Sequence, residues 1–95
     1  MTTKRVIAWT SVFKRDFKRE KKTDGQLESL LNTILQVLAD DSTLAEKYRD
    51  HALTGNWKGH RDCHVKPDLV LIYQKPDAET LLLVRLGSHS ELGIS

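Results

Sequence analysis

Twelve consecutive residues, WKGHRDCHVKPD at positions 57 to 68, hold two histidines, two aspartates, two lysines and an arginine directly before the apolar run LVLIY. Two further histidines stand at His51 and His89, the latter four residues after Arg85. These side chains handle protons and bind anions. Histidine titrates near neutral pH, so convergent histidines with a carboxylate and an arginine can remove a proton, donate one and stabilise a negative phosphorane. Cleavage of RNA by its own ribose 2′-hydroxyl needs those three operations: a base for the hydroxyl, an acid for the 5′-oxygen and a cation near the nonbridging oxygens.

Taken singly, each residue has a plainer reading. A lone surface histidine is usually only solvated, Arg85 alone is a salt-bridge partner, and an aspartate beside Pro67 often only shapes a turn. Trp57 packs in a core more readily than it stacks on a base. A metal reading would start from His60-x-x-Cys63-His64, but side chains alternate along a strand, so Cys63 points away from both histidines. A tetrahedral site would require a bend or a bulge there. No metal or other cofactor is expected.

The elements that must position these residues are legible in the periodicity. Val6 to Trp9 reads as a strand, followed by a helix capped by Thr10 or Ser11. Phe13 and Phe17 share one face of that helix, while Lys14, Arg15, Lys18, Arg19, Lys21 and Lys22 make its remainder a basic surface that could contact phosphates. Thr23-Asp24-Gly25 breaks it. Leu27, Leu30, Leu31, Ile34, Leu35 and Leu38 then form one continuous stripe, which predicts a core-facing helix over 26–39.

A polar connection from Asp40 to Thr43 and a helical turn over 44–48 lead to a loop through Thr54-Gly55-Asn56. Three strands are predicted next, over 57–65, 69–74 and 80–86, with Lys75 to Glu79 as a hairpin turn. The middle strand is apolar on both faces and should be central. Strand parity would put Lys58, His60, Asp62 and His64 on one face, with Trp57, Gly59, Arg61, Cys63 and Val65 on the other. Arg85 and His89 share a face if the last strand continues through Gly87, and pairing brings that end near Asp68. The expected fold is α+β: an N-terminal strand, two helices and an antiparallel meander, all in one domain over 1–95.

Composition sets the outer limits. The 95 residues carry 15 Lys plus Arg against 13 Asp plus Glu, a formal charge of +2, so any attraction to nucleic acid depends on where the charge lies. The single cysteine excludes an internal disulfide and suits a reducing compartment. No apolar stretch approaches the roughly 18 to 20 residues needed to cross a bilayer, and the N-terminus has no long apolar segment of a signal peptide. A soluble, cytoplasmic protein is the expectation.

The run from His51 through Gly55, Trp57, Gly59, Arg61, Asp62, His64, Pro67 and Asp68, then a buried strand and Arg85-Leu-Gly-Ser-His89, resembles the YafQ branch of the RelE/ParE toxin superfamily. The resemblance extends over nearly the whole chain. It implies a compact, microbial-ribonuclease-like toxin of a type II toxin–antitoxin system that cuts messenger RNA at the ribosomal A site without a metal. By position it implies an active set of His51, Asp62, His64, Asp68, Arg85 and His89. Within it, His89 would act as general acid, His51 or Asp68 as general base and Arg85 as phosphate clamp, with His64 and Asp62 as orienting partners. Lys58, Arg61 and the basic helix are the candidate contacts to RNA or ribosome.

The resemblance also implies an antitoxin partner, commonly with a ribbon-helix-helix half through which the complex reaches DNA. Two positions depart from the pattern: Leu69 and Gly93 stand where related toxins can carry aromatics, which bears on base stacking and codon preference. The competing reading is a binding module of the ParE kind that inhibits DNA gyrase without cutting RNA. Gyrase inhibition gives no reason for the histidine set.

Overall fold

The computed structural model describes residues 4–94; Ser95, at the end of the tail, lies outside them. The elements run β1 (Val6–Trp9), α1 (Ser11–Lys21), α2 (Leu27–Ala39), β2 (His51–Ala52), β3 (Arg61–Lys66), β4 (Leu69–Gln74), β5 (Thr80–Gly87) and α3 (His89–Leu92), with short 3-10 turns at Glu46–Tyr48 and Gly55–Trp57. This is the expected α+β fold, with five strands in the order β1-β5-β4-β3-β2. The first strand runs parallel to β5, while the other neighbours are antiparallel. Of the two capping candidates Thr10 is the cap: its side chain accepts from the Phe13 N–H.

Both helices cover one face of the sheet. The α2 stripe packs with Phe13, Phe17, Cys63, Val65, Leu71, Tyr73, Leu81, Leu83 and Leu86. Strand β4 is buried from Leu69 to Tyr73, as its two-sided apolar sequence requires. The alternate residues Val70 and Ile72 point to the other face, where a smaller cluster gathers Leu92 with half-buried Leu53, Trp57, Val84 and Ile94. That second face carries the chemistry.

Strand β1 ends opposite Leu83, so the last part of β5 is paired with β4 on one side and, among the described residues, has no strand on the other. The chain entering α1 takes over. Thr10 donates its N–H to Leu83 O, its hydroxyl to Val84 O, and buried Asp16 accepts the Leu86 N–H. A carboxylate inside α1 therefore takes the place of a strand carbonyl, and its pairing with Arg85 and Arg19 offsets the cost of burying it.

Two local expectations are corrected. The strand predicted from Trp57 starts only at Arg61: residues 55–57 form the 3-10 turn and Gly59 holds φ +88°, a left-handed conformation that turns the chain before pairing begins. Lys58 and His60 are thus outside the alternation that governs Asp62 and His64. The last strand does run through Gly87, one residue past its predicted end, but Ser88 then caps α3, and His89 opens that helix instead of extending the face of Arg85.

Candidate active site

Register builds the site. His51 on β2 pairs with Asp62 on β3, Asp62 with Ile72 on β4, and Ile72 with Arg85 on β5. Directly paired residues share a face, so this row crosses four strands. The next row runs from His64 to Val70 to Gly87, and His89 follows two residues on. The two-residue strand β2, too short to leave a periodic trace in sequence, is what brings His51 to the site.

His89 is fixed from several sides. Ser88 caps α3, its hydroxyl accepting from Glu91 N–H, and Gly93 closes the helix in a left-handed conformation. Asp68, in the turn between β3 and β4, accepts from the His89 backbone N–H at 3.3 Å and from its Nδ1 at 2.9 Å. The imidazole Nε2 then faces Nε2 of His64 at 3.3 Å, the two rings lying edge to face. At that distance a proton on one ring is shared with the lone pair of the other.

Electrostatics decides its side. Burial, and then repulsion from His89, holds His64 below the ordinary histidine range, which favours its neutral form and disposes it to accept. Asp68 is held below the usual carboxylate range by the bond from His89 and remains an anion. The arrangement is a chain, Asp68 to His89 to His64, that puts His89 Nδ1 on a carboxylate and its Nε2 on the His64 ring.

Asp62 is set differently. Its side chain is 2 % exposed, and burial pushes its carboxyl up, against the pull of His51, His64 and His89. His51 Nδ1 lies 3.1 Å from Asp62 Oδ1 and 2.7 Å from the Arg49 carbonyl oxygen. The ring N–H is aimed at the carbonyl, which leaves Asp62 Oδ1 attracted to the ring without a directed hydrogen bond. Because Nδ1 carries the hydrogen, neutral His51 has its free lone pair on Nε2, on an exposed ring.

Arg49 adopts a left-handed backbone, φ 49°, at the end of the 3-10 turn. Asp50 next to it accepts from Tyr73 Oη at 2.6 Å and from Arg61 Nε at 3.3 Å, tying the loop before β2 to the sheet. Neither Arg49 nor Asp50 stood out in the sequence. Their adjacency to His51 was the available signal.

The structure therefore groups His51, Asp62, His64, Asp68 and His89. Arg85 lies in the row of Asp62, but its guanidinium binds buried Asp16 through Nε at 2.7 Å and Nη2 at 3.4 Å. The expected RNA contacts divide. Arg19 pairs with Asp16, Glu20 and Glu91, Lys21 with Glu28, and Arg61 with Asp50. Lys14, Arg15, Lys18, Lys22 and Lys58 are exposed and make no ion pair among the described residues. Trp57 is half-buried in the second cluster, its Nε1 donating to Leu92 O. Cys63 faces the helices and burial keeps it a thiol.

Residues 5–93 match the family described as "Bacterial toxin of type II toxin-antitoxin system, YafQ". The "mRNA interferase toxin YafQ" of Escherichia coli K12 is 34% identical over 88 residues, covering 93% of this chain and 95% of that protein. Among solved structures, a metal-bound toxin from Helicobacter pylori is 46% identical with a TM-score of 0.84, over 95% of this chain and 99% of that one. The toxin in the E. coli DinJ-YafQ complex is 34% identical with a TM-score of 0.81, over 93% and 97%. As for a metal here, the described residues offer no group of three or more His, Cys, Asp or Glu side chains that could hold an ion. His64 Nε2 already faces His89 Nε2, and His89 Nδ1 faces Asp68.

Proposed function

Because this chain belongs to the YafQ family of bacterial toxins from type II toxin–antitoxin systems, we propose that it is an endoribonuclease that cuts messenger RNA on the translating ribosome by side-chain acid–base chemistry. The observation that carries this reading is the chain Asp68, His89, His64, in which His89 Nδ1 lies 2.9 Å from Asp68 and its Nε2 3.3 Å from His64 Nε2. His89 is the general acid that protonates the leaving 5′-oxygen. His51, with its hydrogen on Nδ1 and its Nε2 free, is the general base for the 2′-hydroxyl. His64 orients the acid, and Asp62 supplies the negative field that favours a proton on His51. Asp68 is committed to His89 and is the weaker candidate for the base.

Arg85, immobilised by Asp16, serves as a fixed donor to the phosphate. Residues 1–95 act as one toxin domain in the cytoplasm. The partners are the ribosome with its mRNA and a cognate antitoxin with a DNA-binding ribbon-helix-helix half. DNA is reached only through that antitoxin. The unpaired cations of α1 and Lys58 are available to ribosomal RNA or to the antitoxin. Among the described residues no helix is long and apolar enough to cross a membrane.

Primer extension on a messenger RNA, with and without translating ribosomes, tests this. Wild type should give codon-phased cuts only with ribosomes, and His89→Ala should lower cleavage by at least about 10²-fold with the fold intact. Growth arrest by wild type without any cut would transfer the case to gyrase inhibition.

A further inference from the structure

A groove of about 600 Å³ opens beside His64, between the 3-10 turn at Glu46–Tyr48 and the end of β3. Lys47, Arg49, His64, Lys66 and Pro67 line it, with Tyr48. Three of these are permanent cations. Lys66 is engaged by Asp24. Lys47 and Arg49 are exposed and make no ion pair with a carboxylate among the described residues. Glu46 and Asp50 flank them in the chain: Glu46 shares a second groove with both, and Asp50 is taken up by Tyr73 and Arg61.

We propose that Arg49 and Lys47 form a phosphate-binding track that holds the RNA backbone next to the scissile phosphate and leads it to His64. The site described above accounts for proton transfer and for one cation, Arg85, which is already paired with Asp16 and lies 4.0 Å from Glu91. An RNA strand brings one negative charge per nucleotide, and nothing in that site receives the neighbouring phosphates. Next to His64, the groove supplies two cations with no carboxylate partner among the described residues, Lys47 resting over the Tyr48 ring.

Arg49 is also placed by its backbone. Its left-handed conformation reverses the chain between the 3-10 turn and β2, so that its carbonyl fixes His51 while its side chain lines the groove of His64. One residue thereby touches the environment of both proposed base and orienting histidine. A guanidinium suits this position because it binds phosphate through two parallel N–H donors.

The inference rests on the ribonuclease reading, and its test is chosen to fail separately from it. The probe is a fluorescent single-stranded RNA oligonucleotide with 2′-O-methyl riboses, which can bind but cannot be cut. Its affinity for the purified toxin is measured by anisotropy between about 50 and 200 mM salt. Arg49→Gln and Lys47→Gln should each flatten the log-affinity against log-salt slope by about 0.7, and Arg49→Gln should weaken binding about tenfold at the lower salt. Lys4→Gln, which removes an exposed cation bonded to Gln36, should change neither.

If Arg49→Gln does not fold, Lys47→Gln on the exposed face of the turn still gives the answer. Equal slopes in wild type and both groove variants would overturn the track, as would an equal loss in Lys4→Gln or no binding by wild type. Cutting with unchanged groove-variant binding would remove the track and leave the enzyme. Arg49-dependent binding without any cut of mRNA would do the reverse.

Discussion

Replacing Asp62 by asparagine should stabilise the fold while lowering activity. The carboxylate is buried, its Oδ1 has no hydrogen-bond donor among the described residues, and only the attraction of nearby histidines opposes the cost of desolvation. A buried acceptor without a partner costs roughly 1–3 kcal/mol, and more when charged. The exposed His51 ring offsets part of that through a screened 3.1 Å approach. The amide of Asp62→Asn would keep the volume and still present a carbonyl oxygen to His51. The net gain expected is about 1 kcal/mol near neutral pH, which for a chain of this size corresponds to roughly 4–8 °C in Tm.

The pH dependence fixes the sign. Burial raises the folded-state pKa of Asp62 above its unfolded value, so in the window between the two the native state holds more protons than the unfolded state. This group's contribution is complete below the unfolded value and is lost as pH rises through the folded one. The advantage of Asp62→Asn should therefore be small in acid and reach its plateau above that window. Urea unfolding at pH 5 and pH 8, with equal m-values, measures it. A variant no more stable than wild type at pH 8 would show that the histidines more than compensate the buried charge, and would refute desolvation as the dominant effect at this residue.

Two further outcomes are expected. The His64 ring, followed by NMR titration, should have its midpoint below the ordinary histidine value of about 6.5, because burial and the neighbouring His89 disfavour its cation; a midpoint at or above that value would put the shared proton on the wrong ring. Asp16→Ala leaves the Leu86 N–H and the Arg85 guanidinium without their acceptor, and should cost about 2–3 kcal/mol in urea unfolding, Arg85 at 27% exposure regaining part of its hydration. A loss under about 0.5 kcal/mol would mean that water replaces Asp16 at the edge of β5.

Much of the fold could be read from periodicity, because its large elements each carry a long repeat. The six-leucine-and-isoleucine stripe of α2 and the doubly apolar β4 admit one placement each, stripe on sheet and strand in the centre. The failures were short and local. A two-residue strand at His51 has no period, and the start of β3 depends on a positive φ at Gly59 that a strand-like composition around it conceals. The parity rule held for Asp62, Cys63 and His64, all inside the paired segment, and failed for Lys58 and His60, which precede it.

The residue types of the site, and the spacing that ties them to a toxin family, were present in the sequence alone. Their roles were not, since a role depends on which atom faces which. Only the folded sheet placed His51 against Asp62 and His89 between Asp68 and His64, across sequence separations that local propensity does not see. It also took Arg19 and Arg61 out of the uncommitted cations by pairing them, and left Lys47 and Arg49 beside the site. The physical reason is that alternation and amphipathicity select faces, whereas charge partners are selected by burial and by distances of a few ångströms, which arise only when distant strands come into register.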